Sequence, residues 1–264
     1  MHYIPMAAGA DGGTRKTLAS GQADISTNFA GPNILGIDVG EPLVILAGGH
    51  IGCWELFGTE RVRTIRDLKD KVVALPEEGM AEARIYLTVM ASYVGLDPGK
   101  DMTWVTHPAA EAVQLLAEGK IDALLAFPPY TQEVRAKHIG QVIFVGALDR
   151  PCSQYFCCLV VANRAFVRQH HVATKRALRA ILKATDACAL EPERAAQSLT
   201  AKGVATRYGY ALQTMKDVPY GKWREYDPED AVRFYALRLH EAGLIKNTPS
   251  ASSSRAPTGA SSPR

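Results

Sequence analysis

The cysteines are the most reactive side chains of this sequence, and three of the five lie in one short stretch. The segment "DRPCSQYFCCLVV", residues 149–161, contains Cys152, Cys157 and Cys158. A zinc site is typically built from paired ligands such as C-x2-C, and a thioredoxin-like redox site from C-x-x-C. The spacing here, C-x4-C-C, fits neither pattern, and the other two cysteines are isolated. We therefore predict reduced, mostly buried cysteines, with no metal site and no cofactor.

A catalytic thiol is the alternative to buried, inert cysteines. A cysteine nucleophile needs a nearby imidazole in an electropositive, accessible setting. Cys53, three residues after His50, is the best candidate. The motifs G-x-S-x-G, G-x-G-x-x-G, H-E-x-x-H and the P-loop are absent from the sequence. We therefore predict no catalytic residue, and we keep the Cys53–His50 pair as the alternative.

Composition and charge exclude several classes of protein. The 264 residues are 47% hydrophobic and 22% charged, and the net charge of +3 is spread along the chain. Without a polybasic patch, nucleic acid is not an expected partner. No apolar run approaches the roughly 20 residues that a membrane-spanning helix needs. The first residues lack the layout of a signal peptide, which predicts a cytoplasmic chain if this start is genuine.

Short β-rich runs alternate with helical patterns, which is typical of an α/β fold with mainly parallel sheets. Helical spacing of apolar residues predicts helices over 79–95 and 109–119, and the chain is strongly helical from Arg164 onward. The basic residues of that C-terminal part are expected on a solvated helix face. The predicted buried strands are 42–48, 71–76, 122–127 and 141–147.

A weak internal repeat, L-A-x-G-x-x-D, occurs at residues 18–24 and 116–122. In each copy a helix is expected to end at the glycine, which can adopt a left-handed conformation, and the aspartate to open the next strand. The repeat favours two lobes built from similar α/β units. L-A-x-G is also a common helix ending, so chance similarity remains an alternative.

An ordered set of motifs identifies a family. "LASGQADISTNFAGP", "VILAGGHIGCWELFG", "YVGLDPGKDMTWV", "LLAEGKIDALLAFPP" and "WREYDPEDAVRFYALRLHEAGLI" follow one another as in the NitT/TauT and NMT1-like substrate-binding proteins of ABC importers, which residues 14–248 resemble. The resemblance implies a type II periplasmic-binding-protein fold: two α/β lobes joined by two crossover segments, with a helical C-terminal part. It places lobe one at 1–74 and 155–248 and lobe two at 75–154.

The crossover segments are expected near Lys71 to Pro76 and near Asp149 to Tyr155. Family members begin with a leader and then a first strand and helix, which this chain lacks by comparison. We therefore expect poor solubility or weak ligand affinity for this chain alone. The low-complexity segment 249–264 is expected to be a disordered or frameshifted tail.

The resemblance implies the solute-binding component of an ABC importer, which holds a small organic molecule by hinge closure without chemistry. It also implies a membrane permease as partner, a monomer, and a periplasmic location. Two alternatives remain: an enzyme of the NMT1-like pyrimidine-synthesis type that uses a cysteine and a histidine, and the effector-binding domain of a regulator. No helix-turn-helix segment precedes the domain, which counts against the regulator.

Ligand contacts in such folds come from loops at the carboxyl ends of strands, where helix N-termini present free N–H groups. In the loop after residue 76, the acidic residues Glu77 and Glu78 are unfavourable for an anionic ligand such as nitrate, a sulfonate or taurine. A neutral or cationic heterocycle is therefore as good a prediction as one of these anions. The candidate ligand contacts are Asn28, Phe29, His50, Trp54, Glu77, Gly79, Met80, Phe127, Pro128 and Tyr155.

Overall fold

The computed structural model describes residues 2–4, 13–77, 80–205 and 207–247. Within these ranges, strands and helices alternate as the sequence predicts, and the C-terminal third is helical. The strands are β1 (Ile25–Phe29), β2 (Leu43–Ile51), β3 (Glu55–Gly58), β4 (Lys71–Pro76), β5 (Met102–His107), β6 (Ala123–Ala126), β7 (Gln141–Val145) and β8 (Phe156–Asn163).

The helices connect these strands and then form the C-terminal part of the molecule. Three short 3₁₀ turns add to them, at Ile65–Leu68, Cys152–Gln154 and Tyr220–Arg224. The α-helices are α1 (Gly13–Ala19), α2 (Ala30–Asp38), α3 (Met80–Tyr93), α4 (Ala109–Ala117), α5 (Tyr130–Ala136), α6 (Arg164–Gln169), α7 (His171–Leu190), α8 (Pro192–Ala201), α9 (Tyr208–Asp217) and α10 (Pro228–Glu241).

Two sheets organise the described strands. The first has three strands in the order β1-β8-β2, and both pairs are antiparallel. The second has five strands in the order β5-β4-β6-β3-β7. In the second sheet β4 is parallel to β5 and β6, whereas β3 is antiparallel to β6 and β7. The type II arrangement of two α/β units is confirmed as the fold class. The prediction of mainly parallel sheets is wrong, because four of the six pairs among the described strands are antiparallel.

The outgoing crossing lies earlier in the chain than the sequence predicted. Residues 71–76 form β4, which lies inside the five-stranded sheet, and β3 already belongs to that sheet. The chain therefore changes sheet between β2 and β3, at residues 52–54. The prediction missed this because β3 has only four residues and begins with the charged Glu55. The return crossing runs from β7 to β8, through residues 146–155.

The two copies of the L-A-x-G-x-x-D repeat have the predicted backbone. Gly21 and Gly119 adopt positive φ angles of 78° and 67°, where a side chain would be strained. Each glycine follows a helix, and each repeat ends immediately before a strand, β1 or β6. The Asp122 carboxylate accepts a hydrogen bond from the Val72 N–H at 2.9 Å and so joins the start of β6 to β4.

The main hydrophobic core continues from one sheet to the other. It includes Leu43 and Val161 from the three-stranded sheet and Val73 and Leu125 from the five-stranded sheet, all fully buried. Helix α10 contributes Tyr235 to the same core. Among the described helices, none has both the length and the apolar character that a membrane crossing requires. The tail 249–264 lies outside the described residues.

Candidate functional site

Aromatic rings from both sheets meet at the crossing. Phe29 ends β1, Trp54 lies in the outgoing crossing, and Tyr86 belongs to α3. The ring of Trp54 stacks on Tyr86 with centroids 5.9 Å apart, and Phe29 packs edge-on against Tyr86 at 5.4 Å. Phe127, after β6, packs edge-on against Trp54 at 5.3 Å. Three of the predicted contact residues, Phe29, Trp54 and Phe127, are therefore brought together.

Several polar atoms at this junction are buried without a hydrogen-bond partner. They include both amide atoms of Asn28 and Nε1 of Trp54. A buried polar group without a partner costs about 1–3 kcal/mol, so each one in a native structure calls for an explanation. Contact with a bound ligand is one such explanation.

A cleft of about 230 Å³ opens beside this aromatic cluster. Both crossings contribute to its wall: Gly52, Cys53 and Trp54 from the outgoing segment, and Ala147 and Leu148 from the return segment. Helices α5 and α9 close the other side. Of the predicted contact residues, Trp54 and Pro128 line this cleft.

The cleft contains a network of charged side chains. Glu55 is only 5% exposed, and its Oε2 atom lies 2.7 Å from Nη2 of Arg135. Nη1 of Arg135 contacts the Asp217 carboxylate at 3.3 Å, and Gln132 donates a hydrogen bond to the same carboxylate at 3.1 Å. Burial raises the pKa of Glu55 to about 7, although the positive charge of Arg135 opposes this shift. A strongly shifted acid in a cleft is typical of a functional site.

The thiols of Cys53, Cys157 and Cys158 lie close together. The Sγ atoms of Cys53 and Cys157 are 3.7 Å apart, and Cys53 is also near Cys158. Successive side chains of a strand point to opposite faces, and accordingly Cys157 is buried whereas Cys158 is half-buried. Cys53 from the outgoing crossing lies close to both thiols and joins them into one group.

Hydrogen bonds within this group perturb its acidity. The Cys157 thiol and then the Cys158 thiol lower the pKa of Cys53 well below its ordinary value, and the nearby His50 imidazole adds to the effect. The pKa of Cys157 is raised, first by Cys158 and then by Cys53 and by burial.

Tyr155, Glu77 and Met80 do not line the cleft. Tyr155 stacks on Phe234 of α10, with centroids 4.1 Å apart. Glu77 and Met80 are exposed: the Glu77 N–H donates to the His107 carbonyl at 2.8 Å, and the Met80 sulfur accepts from the Thr106 hydroxyl. Gly79 and Glu78 lie outside the described residues.

The sequence did not indicate four polar residues of the cleft: Glu55, Gln132, Arg135 and Asp217. One signal was present, since Glu55 is a lone acidic residue inside the apolar run "CWELFG". The two partners of the ion pair are far apart in sequence. The pairing of β3 with β6 brings Glu55 next to the end of β6, where helix α5 with Arg135 begins.

Comparison with known proteins identifies the family. Residues 8–205 of the 264-residue chain match the NMT1-like family. The chain belongs to the NMT1-like family. Among curated proteins, no significant match to its sequence is found.

Solved structures show the same fold at low sequence identity. The alkanesulfonate-binding protein SsuA from Xanthomonas axonopodis pv. citri, bound to MOPS, is 16% identical, with a TM-score of 0.67 over 91% of this chain and 82% of that one. A ligand-binding component of an ABC-type import system from Staphylococcus aureus, with zinc bound, is 14% identical, with a TM-score of 0.67 over 87% and 77%.

A third similar structure is a Candida albicans gene product that exhibits the generic periplasmic binding protein fold. It is 13% identical to this NMT1-like protein, with a TM-score of 0.66 over 91% of this chain and 79% of that one. At these identities the likeness establishes the fold of the NMT1-like chain.

Proposed function

We propose that this NMT1-like protein is the solute-binding component of an ABC importer, which holds a small organic molecule in the cleft beside its two crossing segments without converting it. The observation that carries the proposal is the position of the cleft. Its wall is made by both segments that cross between the sheets, residues 52–54 and 147–148. A molecule in this cleft contacts both crossings, so its binding favours one relative position of the lobes over another.

The chemistry of the cleft favours a ligand without net charge. The charged residues in its wall are Glu55, Asp217, Arg135 and Lys216, two of each sign. Arg135 already pairs with both carboxylates, which leaves it less available to an anion. Trp54 and Leu148 supply apolar surface. We expect a small molecule with a flat apolar part and a polar group that reaches Gln132 or Arg135.

The aromatic junction supplies a second set of contacts. Asn28 keeps both amide atoms buried and unpartnered, one residue before Phe29 and helix α2. We assign Asn28, Phe29, Trp54, Phe127 and Pro128 to the ligand side of the molecule. In this role the protein delivers its ligand, as a monomer, to a membrane permease, and its place of work is the periplasm.

The proposal is tested by a thermal-shift screen over pyrimidines, aromatic acids, sulfonates and amines, followed by calorimetric titration of the compounds that stabilise the chain. A ligand at a hundred times its dissociation constant adds about 2.7 kcal/mol to stability. Mass spectrometry then identifies the compound after incubation. A compound recovered unchanged supports a binding protein, whereas conversion by the chain contradicts the proposal.

A matched pair of variants locates the site. Leu148 lines the cleft and is 74% exposed, and Leu190 at the end of α7 is 81% exposed and is not part of the cleft wall. We expect Leu148→Glu to weaken ligand binding about tenfold or more, because it replaces apolar contact by a charge. Leu190→Glu is expected to bind as the unmodified chain does. Equal ligand affinity in both variants would show that the ligand binds outside this cleft.

A further inference from the structure

Three metal-ligating side chains converge beside the outgoing crossing, two from one short segment and one from a distant strand. His50 lies near the end of β2, Cys53 lies in the crossing itself, and Cys158 lies in β8. The Sγ atoms of Cys53 and Cys158 and a ring nitrogen of His50 all lie within 4.8 Å of one another, and all three residues are half-buried. The paired strands β2 and β8 hold the backbone of His50 and Cys158 in place.

The imidazole of His50 is oriented for this purpose. Its Nδ1 atom lies 3.0 Å from the Ile51 carbonyl oxygen, which can only accept a hydrogen bond. The proton therefore resides on Nδ1, and Nε2 keeps its lone pair. Histidine ligands of metal ions commonly have their other ring nitrogen anchored in this way. The ring of Tyr220 packs edge-on against the imidazole at 5.3 Å and restricts its rotation.

The distances fit a tetrahedral ion after small side-chain rotations. Zinc binds cysteine sulfur at about 2.3 Å and histidine nitrogen at about 2.0 Å, so neighbouring ligands around it are about 3.5–3.8 Å apart. The observed limit of 4.8 Å exceeds this separation by about 1 Å. Two thiolates and one imidazole form a soft ligand set that favours zinc over magnesium or calcium, which prefer oxygen ligands.

We propose that His50 Nε2, Cys53 Sγ and Cys158 Sγ bind one zinc ion and leave its fourth coordination position open. Binding replaces the two thiol protons, which pass to solvent, and no oxidation or reduction takes place. Zinc binding at this group requires neither the solute nor the transport role proposed above. It shares one residue with the solute cleft, because Cys53 belongs to both.

The full chain, reduced with a phosphine that does not chelate metals, is titrated with cobalt(II) as a spectroscopic substitute for zinc. We expect one tightly bound cobalt, with thiolate-to-cobalt charge-transfer absorption and the intense visible bands of tetrahedral cobalt. Zinc is expected to displace it and to abolish the spectrum. Weak bands typical of octahedral cobalt, or no charge-transfer absorption, would overturn the proposal.

Variants assign the ligands. We expect His50→Ala, Cys53→Ser and Cys158→Ser each to weaken cobalt binding tenfold or more. Cys188→Ser removes a half-buried cysteine outside the group and is expected to retain full binding. Circular dichroism confirms that each variant is folded. Unchanged binding in the Cys53 or Cys158 variant would overturn the assignment.

A second measurement avoids variants altogether. Zinc is added to the unmodified chain, which is then treated with a thiol-alkylating reagent and analysed by peptide mass spectrometry. We expect zinc to slow alkylation of Cys53 and Cys158 about tenfold or more and to leave Cys188 unaffected. Equal labelling of all three cysteines with and without zinc would contradict the site even if a variant failed to fold.

Discussion

At the scale of single residues, the ion pair in the cleft has the clearest energetic consequence. The Glu55 carboxylate is almost completely buried, and Arg135 is its cationic neighbour at 2.7 Å. Removing one partner of a buried ion pair typically costs 3–5 kcal/mol. Here the cost is smaller, because Glu55, whose pKa is already raised to about 7, takes up a proton when the charge of Arg135 is lost. The Arg135 side chain is 32% exposed, so water partly replaces it and the cost is at the lower end.

We therefore expect Arg135→Leu to lower the free energy of unfolding by about 2–3 kcal/mol, as measured by urea denaturation. The double variant Glu55→Gln with Arg135→Leu is expected to recover at least half of that loss, because it no longer buries an unpaired carboxylate. The single variant Glu55→Gln is measured as well. If the double variant loses as much stability as the two single variants together, the contribution of Glu55 to stability does not depend on Arg135.

At the scale of secondary-structure elements, the sequence predicted the strands with continuous apolar runs, because β4 and β6 are buried on both faces. It missed the crossing because β3 is short and gives no periodic signal. The cysteine group could not be predicted either, since Cys53 and Cys157 are 104 positions apart and only the return of β8 beside β2 brings them together. Motif spacing detects ligands that are close in sequence, whereas this group forms through the pairing of strands that are distant in sequence.

The two crossings themselves pack backbone against backbone. A Cβ atom on Gly52 would lie 2.1 Å from the Gly146 carbonyl carbon and 2.2 Å from the Ala147 nitrogen. Backbone atoms cannot rotate away, so the crossings would have to separate. We expect Gly52→Ala to lower the free energy of unfolding by about 3 kcal/mol, at the upper end of the cost of overpacking.

Gly209 provides the control for this prediction. It lies in α9 without a positive φ angle, and a Cβ atom added to it would meet no neighbouring group within 4 Å. Gly209→Ala is expected to leave stability unchanged or to raise it by about 0.5 kcal/mol, since alanine is the better helix former. Urea denaturation of both variants measures the difference. Equal stabilities would show that the crossings can separate freely.

At the scale of the whole molecule, the two sheets share one hydrophobic core, although a cleft and two crossings separate them. The three tryptophans of the chain all belong to this core or pack against it. Trp54 lies at the junction of the sheets, Trp104 lies in β5, and Trp223 lies in the turn beside α7. Their fluorescence therefore reports on the unfolding of three different regions of the molecule.

Because one core connects these regions, we expect the described part of the chain to unfold in a single cooperative transition. Three variants, each retaining one tryptophan and carrying phenylalanine at the other two positions, are unfolded in urea and followed by fluorescence. The midpoint of each fluorescence curve is compared with the midpoint from circular dichroism of the same variant, which corrects for any change in stability. We expect the two midpoints to coincide in all three variants. If the Trp104 and Trp223 signals change at different urea concentrations relative to their own circular dichroism, the sheets unfold separately, and the shared core does not couple them.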